Sequence, residues 1–125
     1  MNELTKAEEM VMQILWRLGK GFVNDIIAEM SEPKPAYNTV STIIRILEKK
    51  GFVGHTAFGK TFEYHPVVSK EKYTKFYLKG MVSRYFSDSF SQMVSFFSRN
   101  EDIDIAEMEK ILEIMQQEIK SKKRG

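Results

Sequence analysis

The chain has 125 residues, 42% of them hydrophobic and 29% charged, with a formal net charge of +2 and no cysteine. That is room for one compact domain or two small ones, with no apolar run long enough for a membrane span and no thiol for a disulfide or a thiolate metal site. No glycine-rich phosphate loop, cysteine nucleophile or grouped carboxylates and histidines occur, so neither an enzyme nor a cofactor or metal site is expected.

The N-terminus lacks the basic-then-apolar order of a signal peptide, and the absence of cysteine agrees with a cytoplasmic location. Thr5-Lys6-Ala7-Glu8 reads as a capping box. Behind it Ala7, Met10, Val11, Ile14, Leu15 and Leu18 trace one face of a first helix, which Gly19 and Gly21 end. Trp16 sits beside that stripe as a core or domain-boundary anchor. Phe22-Val23 suits a single extended step, and Ile26, Ile27 and Met30 form the buried face of a short second helix. Pro33 and Pro35 break it.

The third helix spans Ala36 to Lys50 and is closed by Gly51. Val40, Ile43, Ile44 and Leu47 make its apolar stripe. Tyr37, Asn38, Ser41, Thr42 and Arg45 fall largely off that stripe. Asn and Ser can pair with base edges in a major groove, and Arg with guanine or phosphate. Residues 33–62 hold five basic side chains, Lys34, Arg45, Lys49, Lys50 and Lys60, against one acidic, Glu48. The positive excess therefore gathers around this helix, as in a DNA reader whose remainder stays near neutral. Two short helices and a turn, the second with a polar leading edge, form a helix-turn-helix layout.

After Gly51 the period changes. Phe52–Ala57 and Thr61–Pro66 are β-rich runs around Phe58-Gly59-Lys60, which predicts a hairpin, the wing of a winged helix, with Lys60 at its tip. His55 and His65 are expected to be ordinary strand histidines, since a zinc site wants three or four protein ligands.

Ser69 is a good N-cap for a long fourth helix holding Tyr73, Phe76, Tyr77, Met81, Val82, Tyr85 and Phe86, with Gly80 as a weak point and a break near Ser87-Asp88-Ser89. A shorter helix carries Phe90, Met93, Val94, Phe96 and Phe97. A turn follows over residues 100–104, then a second capping box from Asp104 to Glu107. The last helix repeats Ile105, Met108, Leu112, Met115 and Ile119 at spacings of three and four, a coiled-coil-like seam. Some fifty residues in three helices cannot easily bury this much apolar surface alone. Pairing with a second copy through Phe76, Tyr77, Phe86, Phe90, Phe97, Met108, Leu112 and Met115 is the expected solution. The whole is mainly α with a small β-hairpin: a winged helix-turn-helix domain over 1–68 and a three-helix dimerisation domain over 69–125.

Leu4-Thr5-Lys6-Ala7-Glu8, then Met12-Gln13-Ile14-Leu15-Trp16, then Val40-Ser41-Thr42-Ile43-Ile44-Arg45-Ile46-Leu47-Glu48-Lys49-Lys50-Gly51-Phe52-Val53 resemble the penicillinase repressor family of BlaI and MecI type, with the CopY repressors as cousins. The resemblance implies a winged-helix repressor, dimeric through its C-terminal helices, on a dyad operator of double-stranded DNA of TACA/TGTA type. It carries groove reading to Asn38, Thr39, Ser41 and Thr42, with Arg45 nearby. It also implies release by a sensor-linked protease that responds to a β-lactam. The cut would map to Phe96-Phe97, where Phe96 stands in place of the family's Asn. The cysteine pairs of the copper-responsive branch are absent. In the resulting mechanism Asn38 and Thr42 read bases, while Thr39, Arg45, Lys49 and Lys60 hold phosphates. The alternative is a winged-helix module whose Tyr37–Arg45 face docks a protein.

Overall fold

A computed structural model of the chain describes residues 1–100 and 103–124. The elements run α1 (Lys6–Leu18), α2 (Val23–Ala28), α3 (Tyr37–Lys49), β1 (Val53–Phe58), β2 (Thr61–Pro66), α4 (Lys70–Phe86), α5 (Phe90–Arg99) and α6 (Ile105–Arg124). They form two compact units, Met1–Tyr77 and a second that begins at Leu78. No helix among the described residues is long and apolar enough to cross a membrane.

In the first unit the capping box forms as the sequence predicts. Glu8 N–H donates to Thr5 Oγ1 at 3.2 Å, and Thr5 N–H donates to Glu8 Oε1 at 2.9 Å. The buried row of α1 differs from the expected stripe. Val11, Met12 and Leu15 are fully buried and Ile14 nearly so, whereas Met10 and Leu18 stay exposed. The row runs 8, 11, 12, 15, and its first member is a glutamate. Glu8 lies in the apolar face because Lys50 meets it, Nζ to Oε2 at 2.8 Å and to Oε1 at 3.1 Å. A charge in that row hides the row from any reading by hydrophobicity.

Val23, Ile26 and Met30 of the α2 region close over the same core, with Val40, Ile44 and Leu47 of α3. Asp25 reaches back to accept the N–H of Phe22 at 2.9 Å, starting α2. Lys34 ends the segment: its ammonium donates to the carbonyls of Ile27, Ala28 and Met30 at 3.3, 3.2 and 2.7 Å. Those are orphan C-terminal carbonyls, and a cation there also suits the helix dipole.

β1 and β2 pair antiparallel, from Val53 opposite Pro66 to Phe58 opposite Thr61. Gly59, at φ +62°, takes the first position of the two-residue turn, where a side chain would be strained. The extended step expected at Phe22-Val23 falls earlier, since Val23 already opens α2: Gly21 forms a β-bridge with Tyr64 through backbone hydrogen bonds of 2.9 and 2.8 Å, and Phe22 is the extended N-cap. Tyr64 is buried, but Phe62, on the same strand face, remains 43% exposed because it lies toward the free end of the hairpin.

The first unit continues into α4. Ser69 Oγ accepts the N–H of Lys72 at 3.1 Å. Tyr73 is buried, its hydroxyl accepts the N–H of Leu4 at 2.8 Å, and its ring lies 5.8 Å from Phe52 and 6.0 Å from Trp16. Trp16 in turn donates from Nε1 to the carbonyl of Val68 at 2.9 Å. The opening turns of α4 thus belong with the winged helix.

The second unit holds the rest of α4, with α5 and α6. α4 runs through Gly80 unbroken and stops where Ser87 and Asp88 take left-handed φ of 49° and 63°. Ser89 then caps α5, accepting from Gln92 N–H at 3.2 Å, and Asp104 caps α6, accepting from Glu107 N–H at 2.8 Å. The turn expected over residues 100–104 includes residues 101 and 102, which lie outside the described residues.

Burial pushes the Glu8 carboxyl up, but the Lys50 hydrogen bond and charge, with the Thr5 backbone and hydroxyl, outweigh it and hold the group below its ordinary 4.5. A carboxylate depressed in the folded state adds stability above its unfolded pKa and loses it as pH falls through the folded one. Glu8→Gln keeps an acceptor for the cap and removes the charge. It should lower unfolding free energy at pH 7 by about 1–2 kcal/mol, the lower part of the charged-bond range because Lys50 is partly solvated. In urea melts the gap between variant and wild type should shrink steadily from pH 6 to pH 3. A gap that stays constant over that interval contradicts the pairing.

Candidate nucleic-acid interface

The polar side of α3 stays open. Tyr37, Asn38, Thr39, Thr42, Arg45 and Lys49 are exposed and Ser41 is half-buried, while Val40, Ile44 and Leu47 face the core. The helix starts at Ala36 without a side-chain cap, and Gly51, at φ +84°, ends it. Asn38, Thr42, Arg45 and Lys49 follow at spacings of three and four, so they share one face. Tyr37, Ser41 and Arg45, four apart, form the neighbouring row and line a shallow cleft together with Lys60, Thr61 and Phe62 of the hairpin. Wing and helix therefore bound one concave surface.

Local hydrogen bonds set what each group can offer. Thr42 Oγ1 donates to the carbonyl of Asn38 at 2.8 Å, so its hydrogen is engaged and its lone pairs and methyl group are open. Arg45 Nε donates to the carbonyl of Ser41 at 3.4 Å, which leaves the terminal nitrogens of the guanidinium for a ligand.

The positive patch divides into structural and open charges. Lys34 caps α2 and Lys50 holds Glu8. Arg45, Lys49 and Lys60 pair with no carboxylate among the described residues. Glu48, the acidic residue of this segment, is in contact with His55 Nδ1. His55 stacks on Phe62 at 4.3 Å between ring centroids and meets Tyr64 edge-on at 5.9 Å. Burial, then the Glu48 carboxylate, pushes the Tyr64 phenol up, with Arg45 acting in the opposite sense. Tyr64 is therefore neutral at physiological pH and adds no negative charge to the cleft.

The histidines do not meet. His55 pairs across the hairpin with Tyr64 and His65 with Gly54, so alternation turns their side chains to opposite faces. No group of three or more potential metal ligands occurs among the described residues. Thr61, Phe62 and the exposed Ile46 are not among the site residues expected from sequence. Phe62 shares its strand face with Tyr64, toward α3, and that period of two was the available signal.

The second set of expected residues lies elsewhere. Phe76 packs on the first unit's core and Tyr77 stands near Tyr73, 6.2 Å between ring centroids. In the second unit Phe86 is half-buried and lies edge-on to Phe96 at 5.7 Å. Phe90, Phe97, Leu112 and Met115 are exposed and Met108 half-buried. Among this unit's described residues only Val82 is a buried large apolar side chain. Phe96 and Phe97 both lie within α5.

Known proteins match this arrangement over most of its length. The chain is 25% identical over 122 residues to the penicillinase repressor of Bacillus licheniformis, covering 97% of this chain and 95% of the relative. It is 29% identical over 114 residues to the methicillin resistance regulatory protein MecI of Staphylococcus aureus strain N315, covering 90% and 93%. The solution structure of the DNA-binding domain of the repressor BlaI superposes with a TM-score of 0.50 at 29% identity, covering 57% of this chain and 88% of that one. That likeness fits the winged helix of the first unit. The family model described as penicillinase repressor matches residues 4–117, from the residue before the first cap to within α6, and the chain belongs to that family.

Proposed function

We propose that the chain is a sequence-specific DNA-binding transcriptional repressor that acts in the cytoplasm as a homodimer on a dyad operator. The observation that carries this reading is the open row Asn38, Thr42, Arg45 and Lys49 beside Lys60, whose cations pair with no carboxylate among the described residues. Uncharged hydrogen-bonding groups at the leading end of a helix suit base edges, and cations behind and beside them suit the two flanking backbones. Asn38 and Thr42 read bases. Thr39, Arg45, Lys49 and Lys60 hold phosphates, and Tyr37 and Ser41 line the cleft between helix and wing.

The exposed apolar side chains of α5 and α6 support the dimer. Phe90, Val94, Met108, Leu112 and Met115 line one cleft, and most remain open to solvent in the single chain. Burying a large apolar side chain stabilises by ~1.5–3 kcal/mol, so a few shared across two copies hold them together. Two linked reading heads gain from effective concentration on a dyad site.

Release follows from separating the copies. A sensor-linked protease in a β-lactam-type response, cutting between Ser87 and Asp104, would detach the dimer helices and leave the winged helix intact. The Phe96–Phe97 bond sits inside α5, where a protease needs the helix unwound first.

Asn38→Ala or Thr42→Ala should cost ~1–3 kcal/mol on the preferred duplex, with discrimination lost at one base position per half-site in mobility-shift assays. Lys60→Ala should weaken all duplexes alike and reduce the slope of log affinity against log salt by about one. If it alters base preference and leaves the slope unchanged, Lys60 does not hold a phosphate. A slope near zero for the wild type would favour a protein-docking module. Leu112→Glu in the full chain should yield monomers in sedimentation and lower operator affinity by ~10²–10⁴-fold. A Leu112→Glu chain that is monomeric and binds as tightly as wild type would refute the need for pairing.

A further inference from the structure

Resting on the DNA-reading proposal above, we infer that Ile46 is a specificity-determining residue that selects thymine by packing on its 5-methyl group. The other large aliphatics of α3 are committed to the fold: Val40, Ile44 and Leu47 are fully buried, and Ile43 packs partly buried on the same cluster. Ile46 belongs to neither group and is 43% exposed. It follows Thr42 by four residues and precedes Lys49 by three, which sets it on the flank of the row assigned to bases and phosphates.

An isoleucine in that place acts against general phosphate binding, since it offers neither charge nor a hydrogen bond. It also leaves any polar base edge beneath it desolvated and without a partner. The major groove presents a single apolar base substituent, the methyl group of thymine. A methyl group is thus the one base feature this side chain can cover favourably, and guanine, cytosine and adenine are disfavoured at that position. Thr42, with its hydroxyl hydrogen turned to the backbone, presents its own methyl and lone pairs one turn away. The two residues would read adjacent bases by different chemistry.

The test starts from a duplex enriched out of a random pool by the full-length wild-type chain. Each thymine is then replaced singly by uracil, which deletes the methyl group and keeps every hydrogen-bonding group. At one thymine per half-site the wild type should lose about fourfold in affinity, the factor that ~0.8 kcal/mol for one buried carbon group corresponds to. Ile46→Ala should bind the thymine and uracil duplexes equally at that position and keep the wild-type response at all others. Ile46→Gln, put through its own enrichment, should replace thymine there by adenine, which glutamine can pair bidentately. Thermal midpoints of both variants should stay near wild type, because the residue is outside the core. If the wild type binds its duplex and the uracil scan is the same for wild type and Ile46→Ala at every position, Ile46 reads no methyl group, while the DNA-reading proposal stands. If no duplex is enriched at all, both fail together.

Discussion

One carboxylate ties the reading helix to the rest of the first unit. Glu8 closes the cap of α1 through Thr5 and, from the same side chain, holds the ammonium of Lys50 at the end of α3. The pair joins the start of one helix to the end of another across forty-two positions of sequence. An ion pair in such a place adds little net energy compared with an apolar isostere, but loss of one partner leaves a buried charge. Its contribution is therefore positional. With Val40, Ile44 and Leu47 anchored in the core and Lys50 clamped behind them, the rotation of α3 is fixed and its polar row must face outward.

The same economy governs the positive charges. Basic residues cluster between Pro33 and Phe62, yet two of them serve the fold: Lys34 satisfies the carbonyls that end α2, and Lys50 neutralises Glu8. What remains for a polyanion is Arg45, Lys49 and Lys60, spread over helix and wing. His55 meets the carboxylate of Glu48, which directly precedes Lys49 in sequence. A field of three open cations is modest, which suits a reader that must discriminate among duplexes by base contacts more than by bulk attraction.

Much of this was legible in the residues, and the exceptions have identifiable causes. Capping signals at Thr5, Ser69 and Asp104, the break expected near Ser87-Asp88-Ser89, the glycines at 51 and 59, and the two β-rich runs placed the element boundaries, because each encodes a local backbone requirement. The apolar row of α3 was equally plain. The row of α1 was not, since a charged residue heads it and Met10 and Leu18 imitate members of it. Gly80 suggested a weak point in α4, yet the helix passes through. The structural tasks of Lys34 and Lys50 depend on partners that no pattern reveals: local turn geometry for one, a residue forty-two positions away for the other. Tyr73 likewise looked like part of a separate helical segment, but its ring and hydroxyl belong to the first core. The open status of Ile46 emerged only once its neighbours were seen to fill that core.

The most direct test of the central claim is an amide and side-chain shift map of the isotope-labelled full-length chain as an enriched duplex is added. The account predicts the largest changes at the Asn38 side-chain amide, along the exposed positions of α3 from Tyr37 to Lys49, and at Gly59–Thr61 of the wing. Largest changes on the exposed positions of α1 instead, with α3 and the wing unmoved, would contradict it.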